Sequence, residues 1–124
     1  MAGAVRRGEV WTVAGSGDYA GKPRPALIVQ DDSFAATQSV TICLFTTDPT
    51  DAPLLRIPVE PSPGNGLREP SRLMIDKLTT VARSRLGTRL GTVDDAVLAK
   101  VARAIVVFLG IAGGAAPRAG ASQE

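Results

Sequence analysis

Arg24 stands between two prolines, Pro23 and Pro25, directly after the glycine-rich stretch GSGDYAGK at 15–22. Prolines lock their own φ and push the residue before them into extended backbone. The guanidinium is thus delivered reproducibly to the start of the apolar run ALIVQ (26–30), beside a loop without periodicity. A planar five-donor fork in that position suits a phosphate; a turn arginine paired to a nearby carboxylate would look the same. Thr46 and Thr47 close a second apolar run and precede Asp48 and Pro49. Hydroxyls there can donate to an anionic oxygen or cap a turn. Between residues 68 and 89, six cations (Arg68, Arg72, Lys77, Arg83, Arg85, Arg89) face only Glu69 and Asp76. That clustering fits either a polyanion footprint or a solvated, salt-bridged face.

The composition narrows the chemistry further. The 124 residues contain no histidine and one cysteine. A disulfide framework, a Cys/His zinc site, a Ser-His-Asp triad and a histidine acid/base pair are therefore excluded. Net charge is only +2, so where the cations lie matters more than their sum. Aromatic residues make up 4%, too few for a broad base-stacking platform. Trp11 and Tyr19 are the large aromatics with polar handles; Trp11 fits a core or interface, whereas Tyr19, in the glycine loop, can reach a base. Cys43, inside VTICLF, reads as a small buried hydrophobe.

These residues need a scaffold, and the hydrophobic patterning predicts one. Strands are expected at 8–14, 26–30, 39–46 and 54–59, with Pro58 placing the last at a sheet edge. Residues 61–66 (PSPGNG) form a turn, 71–81 a fifth strand or strand pair, and 85–93 a short turn leading into a helix. The helix is expected to be capped by Thr92, with Asp94 and Asp95 in its first turn. Its apolar face would carry Val97, Leu98, Val101, Ala104, Ile105, Phe108 and Leu109, and Gly110 would stop it. A mainly β fold with a C-terminal helix follows: a small, curved barrel over residues 1–109, then a flexible Ala/Gly-rich tail at 110–124. With no apolar leader near the N-terminus and no apolar stretch of membrane-spanning length, a soluble, cytoplasmic protein is expected.

Four stretches carry a resemblance: RRGEVW (6–11), DYAGKPRPALIVQ (18–30), LFTTDPT (44–50) and SRLMIDKLTTVARSRLGTRLGTV (71–93). In this order and spacing they resemble the MazF/PemK family of toxin endoribonucleases, over nearly all of the chain up to Leu109. The resemblance implies a small SH3-like barrel with a C-terminal helix, assembled as a homodimer. It implies the toxin of a type II toxin–antitoxin system, a metal- and cofactor-independent endoribonuclease cutting single-stranded RNA at short motifs. It also implies a cognate, MazE-like antitoxin whose tail lies across the RNA groove. The family's catalytic arginine falls on Arg24 and its catalytic threonine on Thr46, with Thr47 the neighbouring option.

Two positions depart from the family pattern. Lys77, after Asp76, stands where some members have glutamine, and Asp18 where some have serine; both bear on sequence preference. Asp18, Tyr19, Lys22, Thr47, Asp76, Lys77 and Arg83 are the candidate RNA contacts. In the implied reaction the RNA 2′-hydroxyl attacks the adjacent phosphorus. Arg24 would stabilise the added charge, Thr46 would donate to a non-bridging oxygen, and Asp18 and Asp76 are alternative general bases. Two other readings use a comparable barrel: a CcdB-like gyrase poison without RNase activity, and a non-catalytic nucleic-acid or peptide-binding module.

Overall fold

The computed structural model describes residues 4–15 and 22–111. Seven strands, β1 (Glu9–Val13), β2 (Arg24–Ile28), β3 (Ser39–Thr46), β4 (Arg56–Val59), β5 (Ser71–Met74), β6 (Thr79–Ala82) and β7 (Leu86–Thr92), precede one helix, α1 (Asp95–Phe108). All strand pairs are antiparallel, in the order β4-β5-β3-β2-β1-β7. The eight-residue β3, rich in β-branched residues, is the hub. Along one edge it pairs first with β6 (Ser39 to Ile42) and then with β5 (Phe45 and Thr46). A strand whose partner changes halfway must bend the sheet, and this one curls without closing.

Alternation along the strands buries both faces. Val10, Leu27, Cys43, Phe45, Leu73 and Ile75 point to one side, where Val101 of α1 packs on them. Val13, Ala26, Ile28, Val40, Ile42 and Val81 point to the other, joined by Trp11, Leu44 and Leu86. This explains the unbroken apolar stretch 42–45 within β3: there the strand packs on both sides, so no polar residue alternates. Cys43 is fully buried, and burial pushes its thiol up to about 12, so it behaves as the small hydrophobe expected.

Two expectations need correction. Residues 86–92 are a strand, not a turn; β7 lies beside β1, with register shifts at Val10/Trp11 and Trp11/Val13. Its LGTRLGT sequence lacks an apolar alternation because most of it is exposed, and its glycines serve close contact. A Cβ on Gly91 would sit 2.2 Å from the carbonyl oxygen of Gly64. Secondly, the helix cap is Asp94, whose carboxylate accepts from the Val97 amide at 3.0 Å; Thr92 ends β7 instead. The apolar face predicted for α1 is partly covered by the sheet. Val97, Leu98, Ala104 and Ile105 pack on the core, but Phe108 and Leu109 are 45% and 54% exposed. The helix outruns the sheet and ends at Gly110, whose φ of 73° is the left-handed stop. From residue 112 on, the expected tail lies outside the described residues.

Gly66 makes the turn at 62–66 possible. Its φ is 72°, and a Cβ there would lie 2.3 Å from the Leu90 carbonyl oxygen. Gly66→Ala therefore combines backbone strain with a backbone clash, and we expect a loss of about 2 kcal/mol or more, read as a lower urea midpoint.

Candidate active site

The antiparallel register pairs Ala26 with Leu44 and Ile28 with Ile42. Continued by two residues, it sets Arg24 across from Thr46. The partner of Arg24 on its other side is Val13, the last residue of β1. The strand pattern therefore gathers Val13, Arg24 and Thr46 on one face, at one end of the sheet. A groove of about 470 Å³ opens there. Ile42, Leu44, Val81 and Met74 give it an apolar floor, and Arg24, Thr46, Lys77 and Arg85 supply polar groups around it.

Arg24 is exposed at the first position of β2. Thr46 is half-buried; its Oγ1 accepts from the Asp48 amide at 3.1 Å. That bond uses a lone pair, so the hydroxyl proton remains for an acceptor in the groove. The turn beyond Thr46 is braced twice. Asp48 accepts from the Thr50 hydroxyl at 2.7 Å and the Thr50 amide at 2.9 Å, bonds that hold its carboxyl below the usual range. From β5, Arg72 Nη1 donates to the Pro49 carbonyl at 2.6 Å and to that of Thr50.

Among the described residues, the ionisable ones lining the groove are Arg24, Lys77 and Arg85, all cationic. Arg85 stood in the basic cluster read from the sequence but was not singled out as an RNA contact. Its Nε and Nη2 both donate to the Ala14 carbonyl, at 3.0 and 2.5 Å, where the chain leaves β1. This fixes the guanidinium at the rim and leaves the Nη1 hydrogens for a ligand. Arg83 instead donates to the Thr37 carbonyl, at 2.9 and 2.7 Å, and does not line the groove. Both residues belong to a short 3-10 turn, Arg83–Arg85, which breaks the two-residue period that would have kept them on one face.

The other candidates separate. Lys77 lines the groove from the 3-10 turn Ile75–Lys77. Asp76 does not; its Oδ1 accepts from Arg56 Nη1. Lys22 and Thr47 are exposed beside the site without lining the groove. Asp18 and Tyr19 lie outside the described residues. Trp11 packs on the groove-side cluster and donates from Nε1 to Glu9 at 2.9 Å, a structural position. Among the described residues, no helix is long and apolar enough to cross a membrane, and no group of three His, Cys, Asp or Glu side chains could hold a metal.

Comparison with known proteins adds to this geometry. Residues 6–109 match a family described as the PemK-like, MazF-like toxin of type II toxin-antitoxin system. The chain is 57% identical over 109 residues to a Mycolicibacterium smegmatis protein named probable endoribonuclease MazF, covering 88% of this chain and all of that one. Among solved structures, it is similar to an endoribonuclease in complex with its cognate antitoxin from a mycobacterial species. The TM-score is 0.69 at 25% identity, covering 88% of this chain and 96% of the other. It shares its fold with a MazE–MazF complex from Deinococcus radiodurans, with a TM-score of 0.72 at 20% identity, covering 88% and 98% of the two chains.

Proposed function

Since this chain belongs to the PemK-like, MazF-like toxins of type II toxin–antitoxin systems, we propose that it is an endoribonuclease that cuts single-stranded RNA in the groove holding Arg24 and Thr46. The observation that carries the site assignment is the meeting of these two side chains, with Lys77 and Arg85, around an apolar floor. The gyrase-poison reading is not favoured by this family membership.

RNA brings its own nucleophile. The 2′-oxygen bonds to the adjacent phosphorus, the bond to the 5′-oxygen breaks, and the products are a 2′,3′-cyclic phosphate and a 5′-hydroxyl. One proton leaves the 2′-hydroxyl and one must reach the 5′-oxygen. The phosphorane between them carries extra negative charge, and fixed donors aimed at that charge lower the barrier most. Arg24 supplies a two-pronged donor and Thr46 a hydroxyl, while Lys77 and Arg85 hold flanking phosphates. The cations take the charge-stabilising part that a metal ion plays elsewhere, so we infer activity without metal or cofactor. Of the two carboxylates considered as base, Asp18 is retained, since Asp76 is engaged by Arg56.

The toxin domain spans residues 1–109 and acts in the cytoplasm, where its RNA is found. A MazE-like antitoxin would silence it by covering the groove. The exposed end of α1, with Val106, Val107, Phe108 and Leu109, supports association of two copies as a homodimer. The direct test incubates purified protein with long single-stranded RNA in excess EDTA and assays the new ends. Cuts carrying 5′-hydroxyl and cyclic phosphate ends support the reading. Intact RNA with gyrase-dependent DNA linearisation replaces it with the poison, and RNA binding with neither outcome replaces it with a binding module.

Thr46→Val removes one hydroxyl of near-constant volume. We expect a fall of about ten- to a hundredfold in single-turnover rate, the worth of one hydrogen bond to a charged oxygen. Thr46→Ser should keep most of the activity.

A further inference from the structure

Among the described cations that line the groove, Lys77 alone is anchored neither by its own side chain's bond to a carbonyl nor by a rigid flanking ring; it sits on the three-residue turn Ile75–Lys77. That turn is held from outside the groove. Ile75 is fully buried, and its amide donates to the Leu55 carbonyl at 2.9 Å. Arg56, the first residue of edge strand β4, donates from Nη1 to the same carbonyl at 3.1 Å and to Asp76 Oδ1. The pair is well shielded: the Arg56 side chain is 16% exposed and that of Asp76 28%. α1 packs against the turn as well.

The consequence is electrostatic. Asp76 adjoins Lys77 in sequence, and without a partner its carboxylate would lie within one residue of the groove's cation. It would compete with RNA phosphate for that ammonium and repel the phosphate itself. Engaged by Arg56, the carboxylate is turned away and compensated. We propose that Arg56, which does not line the groove, is a positioning residue for RNA binding: through Asp76 it keeps Lys77 available to a backbone phosphate. This rests on the reading of the groove as an RNA site.

The test uses the full chain and four proteins: wild type, Arg56→Ala, Arg56→Ala/Asp76→Asn and Lys77→Ala. Affinity for a single-stranded RNA oligomer is measured as a function of salt, alongside KM and kcat for cleavage in EDTA. Arg56→Ala should raise KM on the order of tenfold, leave kcat within about twofold, and lower the log–log salt slope by about one phosphate contact, as Lys77→Ala does. Adding Asp76→Asn to Arg56→Ala should restore both KM and slope, because the liberated charge is gone. A purely structural role would lower the melting temperature without touching the slope, and the Asp76→Asn addition would not rescue it. An unchanged slope in folded Arg56→Ala, or failure of the rescue, overturns the proposal. Backbone amide shifts of residues 74–79, compared in the free proteins, supply a readout independent of RNA. If wild type neither binds nor cuts RNA, the RNA reading falls. The control of this turn by Arg56 then stands only if those shifts move in Arg56→Ala and return in the double variant.

Discussion

Arg24→Ala should reduce RNA cleavage by about 10²–10³, the usual cost of deleting one donor aimed at developing transition-state charge. The loss should appear in single-turnover kcat, with a smaller change in RNA affinity, since Lys77 and Arg85 still hold the backbone. Folding should be intact, because Arg24 is exposed and the apolar residues that follow it, Ala26 to Ile28, make the buried contacts. Arg24→Lys keeps the charge but replaces a planar fork by a point donor on a flexible stem. We expect it to recover less than a tenth of the lost rate, order of magnitude. The two variants therefore separate charge from geometry. If Arg24→Ala cuts within tenfold of wild type while folded, the guanidinium is not the charge-stabilising group and the site assignment fails.

The second large effect is on binding. Three groove cations facing a single-stranded backbone release about three condensed counterions, and each contributes about 0.7 to the log–log salt slope. The slope should thus be near −2, so that raising monovalent salt from about 0.05 to about 0.5 M weakens RNA binding about a hundredfold. Fluorescence anisotropy with the wild-type protein and a labelled oligomer whose 2′-oxygens are methylated, which lacks the nucleophile and is not cut, is the cleanest measurement. Lys77→Ala and Arg85→Ala should each lower the slope by somewhat less than one unit. A flat response across that range would mean that apolar contacts on the floor of Ile42, Leu44 and Val81, rather than phosphates, carry the affinity. The polar ring would then have to be reassigned.

The absence of histidine shapes both expectations. With no imidazole to shuttle protons, the proposed reaction rests on electrostatic stabilisation, and turnover should be slow beside that of a histidine ribonuclease. Slow cutting is compatible with a toxin, whose task is to stop translation.

Much of this was legible in the amino-acid sequence. Composition alone removed histidine chemistry, a disulfide framework and a Cys/His zinc site. The Pro23-Arg24-Pro25 string and the Thr46-Thr47-Asp48 string stood out as candidates, because proline φ restriction and strand termination act within a few residues; it was the resemblance to the MazF/PemK family that paired them as the proposed reacting groups. The β-branched run of 39–46 and the helical spacing from Val97 to Ile105 were visible for the same reason: a strand or helix writes its period into its own residues. Where partners are distant in the chain, the sequence was silent. β7 looks like a turn until β1 lies beside it, since its glycines answer to Thr12 and Gly64 and not to their neighbours. The choice between Arg83 and Arg85 depends on a 3-10 turn that changes the phase of the chain between two strands. The removal of Asp76 from the groove depends on Arg56, twenty residues earlier. Local backbone physics thus determined which groups are present and roughly where each element begins. Which of them share a groove was decided by packing and pairing across the sheet, where the energy of a contact depends on a partner that no short stretch of sequence contains.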